Sequence, residues 1–240
     1  MNKFAIVLLL SLLLLPLPSP SFAQPEIGVA SAVKNGVTVA ASGKNRTLAT
    51  GNKVYANEVV STGEQAVAQL LFLDETSLSI GPRSEVTLDS FVYDAKRGTG
   101  RMVINATRGV VRFISGSMQS SSYQIRTPVA TVGVRGTVFD LLMSRSASGK
   151  LSTTLILVEG ATVANFGGKE YILSKPGQAL TFSRDGVQRR TYGGVLAAVQ
   201  DGVPFPLYGH TLPGTPHEDD LAGRLDQLFG QGLPPPNPIN

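Results

Sequence analysis

The chain has 240 residues, enough for one good-sized domain or two small ones. Charged residues make up only 16%, against roughly a quarter in ordinary proteins, and 26 glycines among many Ser, Thr and Val favour strands joined by turns over a helix bundle. There is no Cys, which excludes disulfides, thiolate metal centres, thiol nucleophiles and a lipid-modified N-terminal Cys.

The first 23 residues read as an export signal. Lys3 gives a positive start, Phe4 to Leu15 is apolar apart from Ser11, and Pro16, Pro18 and Pro20 break any helix. Ser21-Phe22-Ala23 has small residues where a signal peptidase reads, so cleavage is expected between Ala23 and Gln24. The alternative is a membrane anchor, but an apolar run of about a dozen residues is short of the roughly twenty needed to span. A mature protein without a membrane span, periplasmic or secreted, is the expectation.

Residues 24–54 read as N-terminal strands around an Asn35-Gly36 turn. Residues 55–190 then read as one all-β unit. Ala66, Ala68, Leu70 and Phe72 share one face of a strand, and Val67, Gln69 and Leu71 the other. Asp74-Glu75 makes a turn, which should be wide because Glu resists a positive φ. Gly81-Pro82-Arg83-Ser84 is the next turn, and Asp94 to Gly100 a charged hairpin loop. Val111 and Phe113 lie opposite Val110, Arg112 and Ile114, and Gly116 to Ser122 is a Ser-rich loop. Leu151, Thr153, Leu155 and Leu157 line another strand, and turns follow at Phe166 to Lys169, Pro176-Gly177 and Ser183 to Gly186.

At the centre lies Ile125 to Leu142. Its period-two alternation is extended chain interrupted at Gly136, with Pro128 at the start of a strand or on an edge. Gly133 and Gly136 leave backbone room beside Arg135. The guanidinium can tie carbonyls of neighbouring turns together, or hold a carboxylate or phosphate. The structural role is the expected one, because no other polar group in the segment converges on the same point.

These residues carry a family resemblance. Thr62-Gly63, the run from Leu70 to Leu88 through Asp74, Ser77, Gly81 and Ser84, and Thr127-Pro128 through Gly133, Arg135, Gly136 and Thr137 to Phe139 together resemble the FecR-type domain, over about residues 55–145. The resemblance implies a periplasmic all-β module of short stacked strands, solenoid- or roll-like, that binds or senses; a two-sheet sandwich is the alternative. The namesake regulator of ferric dicitrate uptake also has a cytoplasmic sigma-factor-binding segment and a membrane span. This chain reads as having a cleavable signal in their place, so the regulator's function does not carry over. It also has Asp74-Glu75 where the family has Asp-Gly.

Residues 191–240 differ in character. Prolines 204, 206 and 213 make a linker, and Thr215-Pro216-His217-Glu218 is a capping box with Pro at the first helical position. The helix it predicts over 216–229 gathers Leu221, Leu225, Leu228 and Phe229 on one face and stops at Gly230 before a Pro-rich tail. So short a helix needs a cover, either the domain's own sheet, which is the expectation, or a partner protein.

Chemistry is sparse. Asp74 with Glu75 are adjacent in a turn and poorly placed to flank a glycosidic bond; His217 with Glu218, Asp219 and Asp220 suit a helix dipole rather than a metal. Neither a nucleophile motif nor a phosphate loop is present. No catalytic, cofactor or metal site is expected. The formal charge of +4 gathers at Lys96, Arg97, Arg101, Arg108 and Arg112, and at Arg189-Arg190, but without interleaved aromatics, so nucleic acid is not the expected partner. Two readings remain. One is a non-catalytic envelope module binding a protein or glycan. The other is a polysaccharide-acting enzyme, which would need Asp74, Asp89, Asp94, Asp140 or Glu159 to converge in one groove.

Overall fold

The computed structural model describes residues 24–191. The export signal, Ala23 and the predicted helix over 216–229 with its Leu221, Leu225, Leu228 and Phe229 lie outside the described residues. No helix among the described residues is long and apolar enough to cross a membrane.

The all-β expectation is met. Fifteen strands follow one another, joined mostly by turns: β1 (Glu26–Lys34), β2 (Val37–Ala41), β3 (Lys44–Thr47), β4 (Lys53–Tyr55), β5 (Val59–Thr62), β6 (Val67–Phe72), β7 (Ser77–Ile80), β8 (Glu85–Asp94), β9 (Thr99–Ile114), β10 (Tyr123–Arg126), β11 (Thr131–Arg145), β12 (Leu151–Phe166), β13 (Lys169–Leu173), β14 (Gln178–Ser183) and β15 (Gly186–Thr191). All belong to one hydrogen-bonded sheet. The N-terminal strands are part of it, because β1 pairs with β6 and β2 with β5.

The pairings sort this sheet into two layers. In the first, the order is β3, β2, β5, β8, the first part of β9, β10, the first part of β11, the second part of β12, and β13. In the second it is β4, β1, β6, β7, the second part of β9, the second part of β11, the first part of β12, β14 and β15. Three long strands therefore run through both layers, and each turns its corner at a glycine of positive φ: Gly109 at 83°, Gly136 at 62° and Gly160 at 79°. A side chain is strained at such an angle. At Gly160 it would also overlap the Gly136 carbonyl oxygen, so the corners are stacked on one another.

Aromatic pairs join the layers face to face. Phe72 stacks on Phe91 at 5.8 Å, Phe113 meets Tyr123 edge-on at 5.5 Å, and Phe166 and Tyr171 meet Phe182 at 5.5 and 5.7 Å. Within the second layer Phe113 stacks on Phe139 at 5.3 Å. Phe113, Phe139 and Phe182 are fully buried. Each contributes about 1.5–3 kcal/mol by burial, and truncating Phe113 to Ala should cost about 3–5 kcal/mol.

One turn corrects a sequence expectation. The hairpin after Phe72 is tight: Glu75 N–H donates to the Phe72 carbonyl at 3.0 Å and Phe72 N–H to that of Thr76 at 2.9 Å. Glu75 itself takes the positive φ, at 68°. The strain is tolerated because Asp74, fully buried, is bound on both oxygens. Oδ1 accepts from Thr76 N–H at 3.2 Å, and Oδ2 accepts the Thr76 and Tyr123 hydroxyls at 2.7 and 2.8 Å.

Candidate ligand groove

Most residues that suggested the family hold the corners together. Thr62 Oγ1 donates to the Gly81 carbonyl at 2.6 Å and accepts from Ser84 N–H at 2.9 Å. Gly63 N–H donates to the Gly36 carbonyl at 3.0 Å. Ser84 Oγ accepts from Val110 N–H at 2.9 Å, beside Gly109. Thr127 Oγ1 accepts from Ala130 N–H at 3.0 Å and closes the turn that holds Pro128. Ser77 Oγ accepts from the Gln69 amide at 3.2 Å.

Arg135 does not belong to this set. The expected tie from its guanidinium to neighbouring carbonyls is overturned. Arg135 is exposed, and among the described residues no carbonyl accepts from it. Threonines serve those carbonyls instead: Thr137 Oγ1 donates to Glu159 O, and Thr162 Oγ1 to Gly133 O at 2.6 Å. A short hydroxyl reaches a carbonyl one strand away without filling the corner, whereas the long arginine stem points out of the sheet.

Arg135 instead lines a groove of about 850 Å³ on the outward face of the first layer. The strand register defines its shape. Met102 is level with Tyr123, and Gln124 with Gly133. Arg101, Ser122 and Arg135 therefore stand in one row, with the two arginines two strands apart, roughly 10 Å. Thr131, Asn165 and Glu170 form a parallel polar row. Between the rows Gly133 lies between Gln124 and Val163 in the floor, where an added Cβ would come within 3.1 Å of Val163 Cγ1. Gln119 and Ser120 to Ser122 form one wall.

Arg101 and Arg135 are both exposed, and neither forms an ion pair among the described residues. A site with two free guanidiniums flanked by amides and hydroxyls offers charge-assisted hydrogen bonds to an anionic, hydroxyl-rich ligand. Arg101 was legible only as part of a basic run. Gln124, Asn165 and Glu170 carried no signal at all, because their convergence depends on which strands pair.

The carboxylates of the enzyme reading do not converge. Asp74 is held by Thr76 and Tyr123, Asp89 lies 3.4 Å from Arg126, Asp94 pairs with Arg97 at 3.0 Å, and Glu159 sits exposed at the Gly160 corner. Asp140 is fully buried with Arg112, whose Nε and Nη2 reach its two oxygens at 2.5 and 2.7 Å. Burial alone would lower the Arg112 pKa, but the charge and hydrogen bonds of Asp140 outweigh it and hold the guanidinium charged. Burial, followed by the hydrogen bond and charge of Asp74, pushes the Tyr123 hydroxyl up to about 12. Among the described residues no three His, Cys, Asp or Glu side chains gather to hold a metal ion.

The family model for FecR protein matches residues 58–162, from the end of the first hairpins to the first-layer part of β12. The chain carries a FecR domain. That span holds all three corner glycines, the Asp74 network and Arg101, Arg135 and Gly133 of the groove. Two crystal structures of a proposed anti-sigma factor from Parabacteroides distasonis are similar at 13% identity and a TM-score of 0.47, covering 60% of this chain and 65% and 64% of theirs. This chain thus spans about 65% of the length of those structures. A structure described as a cell surface anchoring domain is 31% identical over 25% of this chain and 82% of its own, with a TM-score of 0.25. No curated protein matches.

Proposed function

We propose that this FecR-domain protein is an exported, non-catalytic binding or sensing module of the cell envelope, and that its groove takes an acidic glycan. Residues 1–23 support export through their charge, apolar run and small residues before Gln24. The passage of three long strands through both layers supports reading residues 55–190 as a roll-like stack of short strands.

The single observation that carries the ligand class is the row Arg101, Ser122, Arg135. Two unpaired cations about 10 Å apart suit acidic groups on alternate units of an extended polymer better than one small anion. The site lies across the face of paired strands, so no backbone edge is free there for a peptide to add as a strand. Amide and hydroxyl side chains between the cations suit sugar hydroxyls. An envelope protein remains the alternative partner.

Affinity electrophoresis of the exported full chain in gels containing polygalacturonate, dextran or poly-glutamate tests this. Retardation by polygalacturonate that weakens with salt, with little retardation by dextran, is expected. Equal retardation by poly-glutamate would mean charge alone is read, and none by polygalacturonate would remove the acidic-glycan reading.

A further inference from the structure

The two sides of the groove differ in charge. Its floor runs across the strands through Gln124 on β10, Gly133 on β11 and Val163 on β12. Arg135 and Thr131 lie two residues to either side of Gly133, about 7 Å along the strand in opposite directions. The side of Arg135 is cationic from β9 to β11. The side of Thr131 continues through Asn165 on β12 to Glu170 on β13, and is neutral and then acidic. Asn165 and Glu170 are exposed, and neither side chain has a hydrogen-bond or ion-pair partner among the described residues. Arg126 stands before Thr131 in the same row, but it donates to Asp89 at 3.4 Å and Gln124 at 3.1 Å and does not line the groove.

We propose that the glycan this groove takes is an alternating one, in which acid-bearing units alternate with uncharged N-acetylated units; this rests on the acidic-glycan reading above. In an extended, two-fold polysaccharide ribbon, successive units project to opposite edges. A ribbon laid along the floor sends one set of substituents to the arginine side and the other set to the side of Thr131 and Glu170. Carboxylates on the first set meet Arg101 and Arg135 in charge-assisted pairs. On the second side the chemistry is reversed. An ionised Glu170 only accepts hydrogen bonds, so it takes an N–H or O–H and repels a carboxylate. Asn165 both donates and accepts, which matches the N–H and C=O of an N-acetyl group. A polymer with an acid on every unit satisfies the arginines but turns every second carboxylate toward Glu170.

Two polymers test this with the exported full chain. Hyaluronate alternates a uronic acid with an N-acetylated sugar, and polygalacturonate carries an acid on every unit. Charge alone favours polygalacturonate, the denser polyanion. The expected result is the reverse: hyaluronate binds about fivefold tighter at equal salt, the size of one like-charge contact in water. Glu170→Gln keeps an acceptor oxygen and removes the charge. It should strengthen polygalacturonate binding about fivefold and leave that of hyaluronate within about twofold. Glu64→Gln, at an exposed acid outside the groove, should leave the ratio of the two affinities unchanged. If both polymers bind and both weaken in Arg135→Gln, but hyaluronate is no tighter or Glu170→Gln shifts both equally, the alternating pattern is overturned while the acidic-glycan reading stands. If neither polymer binds, both readings fall.

Discussion

Arg112 and Arg135 sit on neighbouring strands, each on the outward face of a layer, and their surroundings are opposite. Arg112 is buried in a bidentate pair with Asp140. Arg135 is exposed in the groove with no acidic partner among the described residues. The residue type is the same, so the difference lies in what the neighbouring strand supplies. Next to Arg112 it supplies a carboxylate, and the pair becomes part of the fold. Next to Arg135 it supplies Ala161 and the Gly160 corner, and the guanidinium stays exposed.

The largest expected effect breaks the buried member of this comparison. Arg112→Ala leaves Asp140 buried without a counter-charge and should cost about 3–5 kcal/mol, read from the urea midpoint. Arg112→Met with Asp140→Leu should cost clearly less than Arg112→Ala alone, since no charge is then stranded. A double variant as damaging as the single would mean the pair is not an isolated unit.

The next effect is at the corner network. Tyr123→Phe deprives Asp74 Oδ2 of one donor and leaves Met118 N–H, which now donates to Tyr123 Oη at 3.0 Å, without its acceptor. A loss of about 1–3 kcal/mol is expected. It has a pH signature. The folded hydroxyl is pushed up to about 12, above an ordinary value of about 10 in the unfolded chain. Its contribution is therefore complete below pH of about 10 and lost as pH rises through about 12. Stability of the natural chain should fall across that window, and Tyr123→Phe should flatten the fall at that site. An unchanged slope would separate Tyr123 from the network.

How much of this was legible follows from the same residues. Period two identified the strands; Ala66, Ala68, Leu70 and Phe72 were placed on one face, and the structure shows that face to be the buried one. The folding of three long strands between two layers was not legible. Gly136 signals a break, but only pairing reveals that it stacks on Gly160. At the second part of β11 both faces are buried, from Phe139 to Met143, so alternation is silent there about which side meets the core. Arg135 stood out in the sequence with an expected structural role, because sequence does not show that Thr137 and Thr162 already serve the nearby carbonyls. Glu75 was misjudged for a related reason: the turn is fixed by Asp74 and a tyrosine 49 residues away.

A smaller effect sharpens the groove itself. Gly133→Ser adds a side chain to the floor beside Val163 at a φ that is not positive. It should change stability by less than about 1 kcal/mol. Retardation by polygalacturonate should nevertheless weaken several-fold, because the added atoms fill the space between the two rows. Unchanged retardation would place the ligand outside this trough.

The central claim is that Arg135 serves a ligand and not the fold. It is tested most directly by measuring melting and polygalacturonate affinity on the same preparation of Arg135→Gln. The account predicts a melting temperature within about 1–2 °C of the natural chain, as for an unpaired surface residue. It also predicts at least a tenfold loss of affinity, as expected when a charge-assisted contact worth about 1.5–3 kcal/mol is removed. A clear fall in melting temperature with unchanged affinity would contradict it and return Arg135 to the structural set.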